Sequence, residues 1–388
     1  MNIPENVNFI LQTLERAGFE AFIVGGCVRD IIRGVAPKDW DIATSATPAQ
    51  TKPLFARTID TGIKHGTITV LINKQHYEVT TYRIDGEYLD SRRPETVQFT
   101  GNIEDDLARR DFTMNAIAYN PARGFVDPFC GQEDIEREII RCVGEPAHRF
   151  NEDALRMLRA IRFSGITGFA ICSNTLDAIA KLSQNLQNIS PERIREELGR
   201  LITSPNPQAV ELLHSTGLLE YILGKDISLT CTWLTSCPPH EPMRMALFLH
   251  WSGQNCENIL RKLRFDNNSI KEISLYVKML YAPLPQNRYE IKKLLRFIPQ
   301  QLFENLLILK SIITGQTFDS LRLQAVDIIQ KGECFTLRDL AVNGNILAQA
   351  GIPHGKAMGD ILENLLDIVM QNPEMNTVDT LTYHFKQL

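Results

Sequence analysis

Residues 25–45 read GGCVRDIIRGVAPKDWDIATS, and the rest of the chain is best read outward from them. An apolar run, Phe22, Ile23 and Val24, leads into Gly25 and Gly26, and two carboxylates, Asp39 and Asp41, follow one residue apart. The apolar run predicts a short buried strand. Paired glycines let a backbone approach a ligand with no Cβ in the way. A helix expected from near Cys27 would turn its free N–H groups to the same place, which favours an anion, and Arg29 adds a charged donor. In an extended strand, side chains at i and i+2 share a face. Asp39 and Asp41 are therefore expected side by side, roughly 6–7 Å apart at their Cα atoms. Adjacent carboxylates repel, which raises one pKa unless a cation lies between them. Mg²⁺ suits such a pair, because it takes a few carboxylates and leaves its other positions to water and substrate phosphates. A D-x-D pair alone is more often a solvated surface feature. Glycine turn, helix start, Arg29 and paired aspartates within one short segment favour nucleotide-phosphate binding.

Outside this segment the sequence sets broad bounds. A chain of 388 residues predicts two or more compact units. The apolar content is ordinary for a soluble protein, with no run long enough to cross a membrane and no signal-peptide pattern. The eight cysteines are scattered, with no C-x-x-C pair, and Cys231 and Cys237 have no His partners at zinc spacing. They read as free thiols of a cytoplasmic protein. The net charge of −5 argues against capture of nucleic acid by the whole surface, so RNA binding would need local basic faces. Apolar spacing predicts a helix over 6–17. Strands are expected near Phe22 and Asp41 and over 67–72 and 77–82. Beyond about residue 145 helical patterns take over, at 153–163, 191–202, 208–215, 243–251, 291–297 and 302–313. The fold class is α+β, with a mixed head followed by an all-helical part.

Four further blocks carry chemistry-bearing residues: RRDFTMNAIAY from Arg109, DPFCGQEDIEREIIRCVG from Asp127, RFNEDALRMLRAIRFS from Arg149, and SPERIREELGRLI from Ser190. Together with residues 25–45, in this order across 20–202, they resemble the class II template-independent nucleotidyltransferases of the polymerase β superfamily. That group holds the bacterial CCA-adding tRNA nucleotidyltransferases and poly(A) polymerases. Residues 203–388 are similar more loosely, most clearly at DLAVNGNILAQAGIPHGKAMGDIL from Asp339. The resemblance implies a polymerase β-like catalytic head over 1–144, a helical neck over 145–204, a body over 205–290 and a tRNA-binding tail over 291–388, arranged as a seahorse. It implies Asp39 and Asp41 as metal ligands, with Asp111 near the ribose or the metals as a third catalytic residue. Gly25, Gly26, Arg29, Arg110, Arg159 and Arg162 would contact the nucleotide. Mg²⁺, CTP, ATP and the tRNA acceptor arm and 3′ end follow as cofactor, substrates and partner of a monomer or homodimer.

The block from Arg149 also has a reading of its own. Glu152, Asp153 and Arg156 are expected to begin a helix with Asn151 as N-cap, pairing at i,i+4 and i,i+3. A surface salt bridge would look the same in sequence. Cytosine and adenine each present an amine donor beside a ring-nitrogen acceptor, whereas uracil and guanine present the reverse. A rigid carboxylate and guanidinium can accept from the amine and donate to the ring nitrogen. Unpaired charges facing the wrong base can discriminate by roughly 10⁴–10⁵. In the resembled family Asp153 and Arg156 match the residues with this role, with Glu152 beside them.

Between the first two blocks, residues 82–99 (YRIDGEYLDSRRPETVQF) are rich in charge and read as a loop. Family members use a flexible loop here to switch from C to A addition, so its presence favours complete CCA addition. An A-adding or CC-adding enzyme, a poly(A) polymerase and a non-catalytic RNA-binding relative remain as alternatives. No His-Asp dipeptide marks an added phosphohydrolase domain. Arg261, Lys262 and Arg264, and Lys292, Lys293 and Arg296, are interleaved with apolar residues. They read as basic helix faces able to follow a phosphate backbone.

Overall fold

Helix α1 (Glu5–Arg16) buries Val7, Ile10, Leu11 and Leu14, one stripe at helical spacing. It packs on β1 (Ala21–Val24), whose four residues are all buried, as expected of a strand covered on both faces. The structure, a computed structural model, describes residues 3–86, 97–224, 232–252 and 256–385.

The remaining main-sheet strands are β2 (Asp41–Thr44), β3 (Thr58–Gly62), β4 (Thr67–Ile72), β5 (Gln75–Thr81), β8 (Ala118–Asn120) and β9 (Gly124–Val126), with β6 (Arg83–Asp85) and β7 (Val97–Phe99) forming a separate hairpin stem. The sheet order is β3-β4-β5-β2-β1-β8-β9. Every neighbour pair in this sheet is antiparallel except β2 with β5. The register Ile23↔Ile42 sets the start of β2 beside the end of β1, where Gly25 begins. Helices α2 (Gly26–Ile32), α3 (Pro48–Thr51), α4 (Ile103–Ala108), α5 (Gly131–Glu136), α6 (Pro146–Glu152), α7 (Leu155–Thr167), α8 (Ser173–Leu182) and α9 (Pro191–Ile202) complete the part that builds the site. Helix α7 packs on α9, and Leu158 and Ile161 of α7 and Leu198 and Leu201 of α9 are all fully buried.

The fold is α+β, as the sequence implies. The expected strands and the helix over 6–17 are present. The three-residue strands β8 and β9 are too short to show a period of two. The loop expected over 82–99 rises from the β6–β7 ladder, Arg83↔Phe99 to Asp85↔Val97, while residues 87–96 lie outside the described residues.

The described residues form two compact units, one within 1–235 and 239–270, the other within 236–238 and 271–388. The second unit is helical. Helix Lys356–Gln371 buries Leu365, Leu366, Val369 and Met370 in its core. Here one expected basic face is corrected. Lys292 is 1 % exposed; its Nζ donates to the Met370 carbonyl at 2.9 Å and pairs with Glu333 at 2.8 Å, so it holds helices together and meets no solvent. Arg296 pairs with Glu363, and Lys293 remains exposed. Among the described residues no helix is long and apolar enough to cross a membrane.

Candidate active site

At the end of β1 the chain turns at Gly25, with φ 76° and ψ −129°. A side chain is disfavoured there by the backbone conformation. The positive φ suits glycine, and a Cβ would sit 2.7 Å from Nη1 of Arg110. The turn opens onto a cleft of about 440 Å³ in the first unit. Its walls bring together Gly25, Gly26 and Arg29 from the first block, Asp41 from β2, Arg110 and Asp111 from the second block, and Asp153, Arg156 and Arg159 from the fourth.

Three expected residues do not line it. Asp39 lies exposed in a bend, because β2 begins only at Asp41, so the two carboxylates are not i,i+2 neighbours of one strand. Glu152 sits behind Arg156. Arg162 is buried against Glu197 at 2.6 Å and stacks on Phe163, its guanidinium carbon 4.0 Å from the ring centroid. Burial pushes Arg162 down to about 10, partly offset by Glu197, so it stays charged at neutral pH.

Loss of surrounding water pushes the Asp41 carboxyl up; Arg110 pulls it back, and Glu78 and Asp39 push it further up. Glu78, directly across the parallel register from Asp41, was not foreseen, since strand pairing cannot be read locally. Negative charge from Glu78 and Asp39 thus bears on Asp41, a setting in which a cation would be favourable. Among the described residues no three His, Cys, Asp or Glu side chains gather as a metal site by themselves.

Asp111 is 8 % exposed and fully engaged. Its Oδ2 accepts from Arg159 Nη2 at 2.6 Å and Nε at 2.9 Å, and its Oδ1 from Asn115 Nδ2 at 3.1 Å and the Phe112 N–H at 2.8 Å. Burial pushes this carboxyl up, but Arg159, Asn115 and Arg156 outweigh it and hold it at about 2. Asp106, 1 % exposed, accepts from Arg109 at 2.7 Å and Arg110 at 3.2 Å and so aims both arginines. Arg29 Nη1 donates to Asn115 Oδ1 at 2.8 Å.

The expected single helix from Asn151 is broken. Helix α6 ends at Glu152, Asp153 is extended at φ −143° and ψ 103°, and α7 restarts at Leu155. Asn151 lies inside α6 and caps nothing. Asp153 Oδ1 accepts from the Leu155 N–H at 3.0 Å, the local bond by which aspartate favours a helix start over a helix interior. The side chains of Asp153 and Arg156 do not pair with each other, although the Arg156 N–H donates to the Asp153 carbonyl at 3.0 Å. Arg193 of α9 donates to Asp153 Oδ2 at 2.7 Å. Arg156 donates to Glu152 at 2.6 Å and to the Arg109 carbonyl at 3.0 Å. The structure thus adds Arg109, Asn115, Phe163 and Arg193 to the cleft. All four lie in the quoted blocks, but nothing in local spacing singles them out.

The Poly A polymerase head domain family matches residues 21–141, a probable RNA and SrmB binding site of polymerase A matches 168–228, and a tRNA nucleotidyltransferase domain 2 family matches 240–383. The chain is 38 % identical over 376 residues to a CCA-adding enzyme of Geobacillus thermodenitrificans, covering 93 % of this chain and 90 % of the relative. It is 36 % identical over 381 residues to a CCA-adding enzyme of Pediococcus pentosaceus, covering 96 % and 94 %. A crystal structure of the Bacillus stearothermophilus CCA-adding enzyme in complex with CTP superposes with a TM-score of 0.88 at 33 % identity, covering 100 % of this chain and 98 % of that one.

Proposed function

Since this chain belongs to the family of CCA-adding enzymes, which are tRNA nucleotidyltransferases, we propose that it adds CCA to tRNA 3′ ends from CTP and ATP without a nucleic-acid template. The observation that carries this reading is one cleft lined by Arg29, Arg110 and Arg159, by Asp41, and by a separately anchored carboxylate and guanidinium, Asp153 and Arg156. In this reading Arg110 and Arg159 meet the triphosphate, held in place by Asp106 and Asp111 respectively. Asp111 has its lone pairs committed to four donors, so its part is to position Arg159. Asp41 and Asp39 would hold Mg²⁺, with Glu78 adding to the negative field. Bound there, the ion would favour the attacking 3′-oxygen and the departing pyrophosphate.

Asp153 accepts from the amine of cytosine or adenine, and Arg156 donates to the ring nitrogen. The tRNA 3′-hydroxyl is then placed against the α-phosphate, and the gain comes mainly from orientation and charge stabilisation. We place the head over 1–144, the neck over 145–204, the body over 205–290 and the tRNA-binding tail over 291–388, and the reaction in the cytoplasm. The test is incubation with tRNA lacking its 3′ end, using each nucleotide alone and then CTP with ATP. Two C additions with CTP alone and a terminal A only when ATP is added support the reading. Long A tracts with ATP alone would favour poly(A) polymerase.

A further inference from the structure

Asp153 is asked to hold one orientation, yet its backbone gives it little help. It lies in the extended joint between α6 and α7, outside both helices. Only one local bond, from the Leu155 N–H to Oδ1, restrains its carboxylate. The second restraint comes from forty residues away. Arg193 reaches over with Nη2 at 2.7 Å from Oδ2 and Nη1 at 3.4 Å from Oδ1, a fork that fixes the plane of the carboxylate. Arg193 stands in the first turn of α9, which starts at Pro191, packs on α7 and buries Ile194 and Leu198. Its side chain is 27 % exposed and that of Asp153 15 %, and both line the cleft.

We infer that Arg193 is a positioning residue for nucleotide choice, holding the Asp153 carboxylate where it must accept from the base amine. The inference rests on the reading of Asp153 as a base reader. Rejection of uracil and guanine depends on a carboxylate that cannot turn away from their carbonyl oxygens. A carboxylate free to rotate swings into water and tolerates them, so rigidity is the repulsive element of the specificity. Arg193 also occupies Asp153 that would otherwise be open to Arg156, three residues on, and so keeps the two readers apart.

The experiment is a cycle of Arg193→Met, Arg193→Lys, Asp153→Ala and the Asp153→Ala/Arg193→Met double variant. Single-turnover incorporation of CTP and UTP into tRNA ending before the first C is measured, then of ATP and GTP after CC. The C-to-U and A-to-G ratios are independent of the folded fraction, so a purely structural defect leaves them unchanged. Arg193→Met should lower both ratios roughly 10- to 100-fold, the scale of one lost charge-assisted hydrogen bond. Arg193→Lys, which keeps the charge but not the fork, should fall between it and wild type. The double variant should lose no more selectivity than Asp153→Ala, because Arg193 acts through Asp153. Wild-type ratios in both Arg193 variants beside lost ratios in Asp153→Ala would overturn the inference alone, as would losses that multiply in the double variant. Unchanged ratios in Asp153→Ala would overturn the base-reading premise itself. Where Arg193→Met yields no folded protein, Arg193→Lys carries the same comparison.

Discussion

At the scale of single residues, the cleft divides its carboxylates by environment. Asp41 is pushed up by loss of water and by Glu78 and Asp39, with Arg110 opposing, so a bound cation would favour its charged form. Asp41→Ala should lower incorporation of both C and A by roughly 10³-fold or more, the order found when a central electrostatic group is removed. Affinity for tRNA, measured by filter binding, should stay near wild type; near-normal turnover with Mg²⁺ would remove Asp41 from the chemistry. Asp111 is the opposite case, held at about 2 against an ordinary value of 3.8. A depressed carboxyl contributes stability that is complete above its unfolded pKa and is lost as pH falls through its folded pKa. Acid melts should therefore show a loss of about 2 kcal/mol between about pH 4 and pH 2. Asp111→Asn should be less stable at neutral pH and flatter through that window. Identical acid slopes in the two proteins would contradict the Arg159–Asp111 anchor.

Elements show what was legible in the sequence and what was not. The path from β1 through Gly25 into α2 could be read because each step is local: an apolar run, a glycine turn, a helix start. The break at Asp153 was missed because the apolar spacing of 153–163 continues smoothly, while the aspartate's own preference for a helix start decides the backbone. Asn115, Glu78, Arg193 and Glu197 were missed for another reason. Their partners lie on other elements, and only packing brings Arg193 to Asp153 or Glu197 to Arg162. Arg162 shows the cost of reading spacing alone: it continues the Arg156–Arg159 series but turns into the core. The β6–β7 stem leads to a prediction of its own. Deleting residues 86–94 while keeping Arg83–Asp85 and Val97–Phe99 should leave CC addition near wild type and slow the final A by at least about tenfold, as expected if this segment serves the switch from C to A addition. Equal loss at all three additions would assign the segment to folding instead.

At the scale of the whole molecule, a net charge of −5 leaves RNA binding to local basic surfaces. Composition alone does not say which cations serve it. Lys292 belongs to the buried frame of the second unit, while Lys293 is exposed beside it. The first unit gathers residues from four of the five sequence blocks around one cleft, and the central claim is that two of these residues, Asp153 and Arg156, stand in for a template strand. Both readers are held by partners other than each other, so each can be removed singly. The most direct measurement is single-turnover incorporation of all four nucleotides by wild type, Asp153→Ala and Arg156→Ala, on tRNA ending before the first C and on tRNA ending in CC. The account predicts that correct incorporation falls in both variants and that the C-to-U and A-to-G ratios shrink with it. Unchanged ratios in both variants, with only a small loss of stability, would make these residues an ordinary ion-pair network and contradict the protein-template reading.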